Sequence, residues 1–161
     1  AERDALTNLL VRRQFFVLAQ EAVAEARKER HSICAAMIDV DYFKQVNDRY
    51  GHLAGDIALR QLGAMLREEF PAPFICGRYG GEEFCVVAPG VEKQDFARRL
   101  ENFRSSVSSK PVQIGALSIA VSVSIGMAEQ HAADLESLIS AADGQLYTAK
   151  REGRDRFVWQ T

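Results

Sequence analysis

Polar and apolar positions along this chain fall into blocks whose period switches between that of a helix and that of a strand. The pattern predicts a helix from about Arg12 to Arg30 and a strand near Ile33 to Asp39. The apolar run Cys34 to Ile38 stops abruptly at Asp39, as expected of a central strand whose carboxyl end delivers a carboxylate to a site. Helical turns follow from Tyr42, with Asp41 available as their cap, and another helix runs from about Asp56 to Glu69. Phe74-Ile75-Cys76 and Phe84-Cys85-Val86-Val87 are compact apolar runs bounded by Pro71, Pro73 and Pro89, which read as paired strands. A helix near Glu92 to Val107 comes next, and Leu117 to Ile125 alternates apolar with small polar residues, the period of a half-buried strand. Asp134 caps a last amphipathic helix ending near Arg151-Glu152-Gly153, and Arg156 to Trp159 forms a closing strand. No repeat, low-complexity tract or linker interrupts the series. After the first helix the order βααββαβαβ implies an α+β sandwich, helices packed on a mostly antiparallel sheet.

Between the paired strands lies Arg78-Tyr79-Gly80-Gly81-Glu82-Glu83-Phe84. Gly-Gly predicts a two-residue turn with positive φ, a register that sets Cys76 opposite Cys85. Missing Cβ atoms let a phosphate approach the backbone, and the adjacent acidic pair can hold a hard divalent cation against the same phosphates. The plainer alternative is a surface hairpin with solubilising glutamates. The carboxylate expected at the end of the Cys34 to Ile38 strand tilts the balance toward nucleotide chemistry.

Composition bounds the answer more loosely. A chain of 161 residues with 47% apolar content is one domain able to bury a core. The net charge of −2 gives no reason to expect nucleic-acid or membrane-surface binding, although a few local cations can hold an anionic ligand. No apolar stretch approaches the roughly 20 residues that span a bilayer, and no signal-peptide pattern is present. A start at Ala1, within charged sequence, predicts a domain cut from a longer chain, with a sensory or dimerisation module upstream that could include a membrane anchor. Cys34, Cys76 and Cys85 lack metal-ligand spacing and sit in apolar runs, so they read as reduced core thiols of a cytoplasmic domain.

Met37 to Asp56, taken with Gly80-Gly81-Glu82-Glu83-Phe84, resembles the GGDEF family, the diguanylate cyclases. Asp4-Ala5-Leu6-Thr7 followed by Arg12-Arg13 resembles the family's opening D-x-L-T-G-L-x-N-R-R. Ser124 to Ala128, and Ala142-Asp143 through Tyr147, Ala149, Lys150, Gly153 and Arg154, look like its closing signatures. The resemblance covers nearly the whole chain and adds a ferredoxin-like palm, similar to nucleotidyl cyclases and polymerases, to the expected fold.

It also implies an activity: condensation of two GTP molecules into cyclic di-GMP with release of two pyrophosphates. Asp39, Glu82 and the main-chain carbonyl of Val40 match the family's ligands for Mg²⁺ or Mn²⁺. Glu82 is the first choice for the essential acid. Whether Glu82, Glu83 or a water removes the 3′-hydroxyl proton stays open, and Glu83 can equally be a structural residue of the hairpin. Guanine recognition falls on Asn47 and Asp56, with His52 as a further substrate contact; Asp56 has a second reading as a helix N-cap after Gly55. Lys44, Lys150 and Arg154 match phosphate-binding cations, beside Gly80 and Gly81. The resemblance further implies a homodimer, each domain bringing one GTP.

Four departures qualify this reading. Asn8 stands for the usual Gly, Val11 for Asn, and Asp155 where Asn is common. Pro71-Ala72-Pro73-Phe74 occupies the positions of the product-binding Arg-x-x-Asp motif, so feedback inhibition through that site is not expected. The rival readings are a non-catalytic GTP-binding regulatory domain, against which Asp39 and Glu82 argue, and a cyclic di-GMP receptor or protein-binding module.

Overall fold

The computed structural model describes residues 2–160. Its centre is β1 (Ser32–Val40), in which every residue after Ser32 is buried. A strand apolar on successive residues must be covered on both faces, and the order β2-β3-β1-β6-β7 achieves this with β1 in the middle. The partners are β2 (Ile75–Arg78), β3 (Glu83–Ala88), β6 (Val123–His131) and β7 (Phe157–Trp159). All pairings are antiparallel except β6 with β7, which is parallel.

Side-chain alternation divides the core into two layers. On one face Cys34, Ala36, Ile38, Phe84, Val86, Val123, Ile125 and Met127 pack against α3 (His52–Glu69) and α4 (Lys93–Ser109), through Leu59, Leu62, Leu66, Phe96, Leu100 and Phe103. On the other, Ile33, Ala35, Met37, Cys85 and Val87 meet α1 (Arg12–Lys28) and α5 (Leu135–Arg151), through Phe15, Ala19, Leu138, Ala142 and Leu146. Each large apolar side chain buried in these layers contributes about 1.5–3 kcal/mol. The short α2 (Phe43–Tyr50) links β1 to α3. This is the expected α+β palm with a mostly antiparallel sheet.

Four expectations from sequence need correction. The hairpin between β2 and β3 is not a two-residue turn: Tyr79 N donates to Glu83 O at 2.8 Å, leaving Gly80, Gly81 and Glu82 as the turn, and neither glycine has positive φ. The register moves by one, so Cys85 faces Gly77 and Cys76 faces Val86. Cys76 and Cys85 then lie in different layers, and all three cysteines are free. Burial pushes the Cys34 and Cys76 thiols up to about 12, with Glu129 adding to the effect at Cys34.

Second, α3 begins at His52, because Gly51 at φ 91° ends α2 and turns the chain straight into the next helix. Asp56 is therefore inside α3 and caps nothing. Third, the Leu117 to Ile125 run is two strands. β5 (Leu117–Ile119) pairs with β4 (Val112–Ile114) in a separate ribbon, and β6 starts only at Val123. Both pieces keep the period-2 pattern, so local alternation could not reveal a change of sheet. Fourth, Asp41 does not cap α2, whose N-cap Tyr42 carries no side-chain cap bond. Asp134 does cap α5, accepting from Ser137 N at 2.8 Å. Among the described residues no helix is long and apolar enough to cross a membrane.

Close helix–sheet approach depends on Gly126, where a Cβ would lie 2.0 Å from Leu146 N and 2.5 Å from Ala142 O, both main-chain atoms of α5. Gly126→Ala is expected to cost at least about 3 kcal/mol in urea denaturation, since a helix backbone cannot yield as a side chain can. Gly144→Ala on the same helix, where a Cβ meets nothing within 4 Å, should instead add up to about 1 kcal/mol.

Candidate active site

The carboxyl end of β1 carries two carboxylates, and the structure gives them different tasks. Asp41 is 6% exposed and fully satisfied. It accepts from Ser124 Oγ and Ser122 Oγ at 2.6 Å each and from Asp155 N at 3.0 Å, tying the chain after β1 to β6 and to the turn after α5. Asp39 lies on the α1/α5 face, opposite Glu83 on one side and Ser124 on the other. The Lys150 ammonium of α5 donates to Asp39 Oδ2. Val40 N donates to Glu82 O at 3.1 Å, so the hairpin tip is fastened to the strand end that bears Asp39.

Glu83 shows the electrostatics of this corner. Burial pushes its carboxyl up, the Asp39 charge pushes it further, Lys150 partly offsets this, and Asp143 and Glu82 add to the rise. A carboxylate-rich corner of this kind favours a cation. Asp39, Glu82 and the Val40 carbonyl offer only oxygen donors, which suits a hard divalent ion such as Mg²⁺ or Mn²⁺. They are two carboxylates and a carbonyl, and no group of three or more His, Cys, Asp or Glu suited to a metal occurs among the described residues. Substrate phosphates would have to complete such a shell.

The hairpin is held by motif residues for which the sequence suggested no role at the site. Arg78 donates to Gly81 O at 2.8 and 3.2 Å and reaches both oxygens of Asp4 at 3.1 Å. Asp4 also accepts from Thr7 N and Thr7 Oγ1 at 2.9 and 2.8 Å. Arg12 donates to Tyr79 O at 3.0 Å and stacks 4.0 Å over the Tyr79 ring. These residues lie inside recognisable motifs, but the two contacts that join the opening segment to the hairpin, Arg12 with Tyr79 and Asp4 with Arg78, span 67 and 74 residues of sequence. A Cβ at Gly80 would come 2.8 Å from Glu83 Oε1, the far end of a side chain that can turn aside, and one at Gly81 would meet nothing within 4 Å.

A second group lies at the far end of α2, roughly 12 Å long at 1.5 Å per residue. Asn47 Oδ1 is buried without a hydrogen-bond partner. Gly55, in the first turn of α3, leaves the space this oxygen fills, since a Cβ would stand 1.9 Å from it. His52 and Asp56 are exposed on the same opening stretch of α3. Lys44 is 88% exposed and pairs with Asp48 at 2.8 Å. Arg154 lies 4.7 Å over the ring of Tyr42, at the start of α2. The structure thus gathers Asp39, Val40, Glu82, Glu83 and Lys150 in one corner and Asn47, His52 and Asp56 in another. Lys44, in the first turn of α2, and Arg154, over Tyr42, both lie at the start of that helix.

The sequence profile described as diguanylate cyclase, GGDEF domain matches residues 1–156. The chain belongs to the GGDEF family. Diguanylate cyclase A of Treponema denticola is 33% identical over 159 residues, covering 95% of this chain and 43% of that protein. Diguanylate cyclase DosC of Escherichia coli K12 is 36% identical over 160 residues, covering 98% of this chain and 35% of its own length. The GGDEF domain of DgcB from Caulobacter crescentus, crystallised with c-di-GMP, superposes with a TM-score of 0.95 at 36% identity, covering 99% of this chain and 95% of that one. The chain therefore spans less than half of these curated relatives and nearly all of the crystallised domain.

Within this GGDEF domain the departures from the family pattern have local explanations. Asn8, where Gly is usual, takes φ 58°, a conformation Asn tolerates better than most residues. Val11 occupies the N-cap of α1 and makes no side-chain cap bond, a position where the usual Asn would accept one.

Glu83 yields a pH prediction. A carboxyl whose folded pKa is raised stabilises the fold below its unfolded pKa and loses that contribution as pH rises through the folded value. In chelator-treated buffer, Glu83→Gln should match the parent near about pH 4, at the ordinary glutamate value, and be the more stable protein at about pH 7. Thermal melts at the two pH values check this. A parent more stable than the variant at the higher pH would mean that the contact with Lys150 outweighs burial and like charge.

Proposed function

We propose that this chain is the catalytic domain of a diguanylate cyclase, condensing two GTP into cyclic di-GMP with release of two pyrophosphates, each domain of a homodimer presenting one nucleotide. The observation that carries this reading is the corner where Asp39, Glu83 and Lys150 meet beneath a hairpin tip tied to Val40. Carboxylates for a divalent cation stand there beside an ammonium for phosphate, as phosphoryl transfer requires.

Each new bond forms when the 3′-hydroxyl oxygen of one GTP attacks the α-phosphorus of the other. The bond to pyrophosphate breaks and the hydroxyl proton leaves. Asp39, Glu82 and the Val40 carbonyl would hold Mg²⁺ or Mn²⁺, which supplies charge neutralisation at the phosphates and acidifies the attacking hydroxyl. Lys150 and Arg154 offset triphosphate charge, and Lys44 adds a further cation once drawn from Asp48. Gly81 leaves open space for a phosphate at the turn. The unpaired Asn47 Oδ1 is an acceptor awaiting a donor, and guanine supplies donors at N1 and N2. Asp56 can accept from both, a pairing that adenine does not offer. His52, on the same turn, borders the nucleotide. Glu83, pushed toward its neutral form, is suited to shaping the hairpin beside Gly80 or to passing on the proton; Glu82 is the essential acid.

Concentrated protein incubated with GTP and Mg²⁺ or Mn²⁺ should yield cyclic di-GMP by chromatography, and Glu82→Ala should lower the yield at least about 100-fold. GTP binding without product at any protein concentration would replace this reading with a regulatory GTP-binding domain.

The segment Pro71-Ala72-Pro73-Phe74 lacks charge and instead feeds an aromatic cluster. Phe74 packs edge-on to Phe70 at 5.4 Å, and Arg99 covers its ring at 5.3 Å. Cyclic di-GMP titrated onto the protein is expected to show no binding that substitutions in residues 71–74 remove. Sub-micromolar binding abolished by such substitutions would overturn this expectation.

A further inference from the structure

The turn after α5 is built from backbone that ordinary residues avoid. Gly153, Arg154 and Asp155 take φ values of 124°, 63° and 46° in succession. Left-handed conformations at non-glycine residues persist only where surrounding contacts over-determine them. Two kinds of contact do so here. The first is local: Gly153 N and Arg154 N donate to Lys150 O and Ala149 O at 3.4 and 3.0 Å, closing the end of the helix. The second is long-range and made by the Asp155 side chain. Its Oδ1 accepts from Arg104 Nη1 at 2.8 Å and from Ser108 Oγ at 2.7 Å, both on α4. Arg104 is 19% exposed and is itself held by Glu101 at 2.6 Å, and these partners push its pKa up. Asp155 N donates to Asp41, so the turn is gripped from α4 on one side and from the end of β1 on the other.

Arg154 is the residue this grip displays. Its guanidinium lies 4.7 Å over the Tyr42 ring, and Tyr42 is itself left-handed at φ 54°. An arginine on an exposed, flexible turn would give up its rotamer freedom on meeting a phosphate; one presented on a clamped turn gives up less. The family commonly has Asn at the position of Asp155, and an amide can accept the same hydrogen bonds without the charge that draws in Arg104.

We propose that Asp155, clamped by Arg104 and Ser108 of α4, is a positioning residue that presents Arg154 to the β- and γ-phosphates of the nucleotide. The affinity for those phosphates is then set partly by a helix that contributes no residue to the site. This inference rests on the reading of the chain as a GTP-binding domain.

The test compares binding of 3′-deoxy-GTP, which cannot cyclise, with binding of GMP, which lacks the two outer phosphates, by calorimetry in Mg²⁺ on the full chain. Asp155→Ala should weaken 3′-deoxy-GTP roughly tenfold, the size expected for one lost charge-assisted contact. It should leave GMP unchanged and add nothing in an Arg154→Ala background. Asp155→Asn should recover part of the loss. Arg104→Met, which keeps most of the side-chain volume, should reproduce it, and serves if Asp155→Ala melts too low to assay. Equal weakening of GMP and 3′-deoxy-GTP, or a loss that is fully additive with Arg154→Ala, would overturn the clamp as a positioning device. So would unchanged 3′-deoxy-GTP affinity in Arg104→Met. A parent protein that binds neither nucleotide would overturn the underlying GTP reading, an outcome distinct from all of these.

Discussion

Burying β1 on both faces is the constraint from which the rest follows. A strand with no solvent-facing side cannot simply end in carboxylates, because charge leaving water beside an apolar core must be paired or fully hydrogen-bonded. Asp41 is compensated by hydroxyls of Ser122 and Ser124 and by the main chain of Asp155, which recruits β6 and the turn after α5 to the end of β1. Asp39 is compensated by Lys150, which recruits α5 itself. The last helix is thus tied to the central strand by the ionic contact of Lys150 with Asp39, and to β6 by the close packing that Gly126 allows. One tie is chemical and the other steric, and they act on the same helix.

The N-terminal segment has a structural role that its motif does not advertise. It forms an isolated bridge from Leu10 to Gly77 of β2, and through Asp4 and Arg12 it grips Arg78 and Tyr79 on the β2 arm of the hairpin. Burial alone would raise the Asp4 carboxyl, but donors from Thr7 and the Arg78 guanidinium hold it below the ordinary aspartate range. The hairpin tip that carries Glu82 is therefore fixed from three directions: the opening segment, the end of β1 through Val40, and the bond from Arg78 to Gly81. A loop so braced places its carboxylates with little entropy left to lose, which is what phosphoryl transfer asks of a scaffold.

Most of the elements could be read from sequence because their signals are local. The run Cys34 to Ile38, the apolar runs of β2 and β3 and the Asp134 cap of α5 each depend on residues a few positions apart. The errors fell where the deciding contact is distant. Glycine identity suggested a two-residue turn, but the pairing of Tyr79 with Glu83 widened it and changed which layer each cysteine enters. Asp41 looked like a helix cap from its neighbours, and its true partners sit 81 to 114 residues away. Asp56 looked like the start of a helix because nothing local announces that Gly51 can both end α2 and open α3.

By itself the sequence determined the α+β class, the family and the chemical types gathered for the site, and the order of elements everywhere but between α4 and α5, where one expected strand proved to be three, since these depend on periodicity and on recurring motifs. Only the tertiary structure decided the register of the hairpin, the division of labour between Asp39 and Asp41, the orphaned acceptor on Asn47 and the clamp on Asp155. The physical reason is range. Propensity and pattern act over one or two turns of chain, whereas hydrogen bonds and ion pairs are chosen among groups that only folding brings within 3 Å of one another.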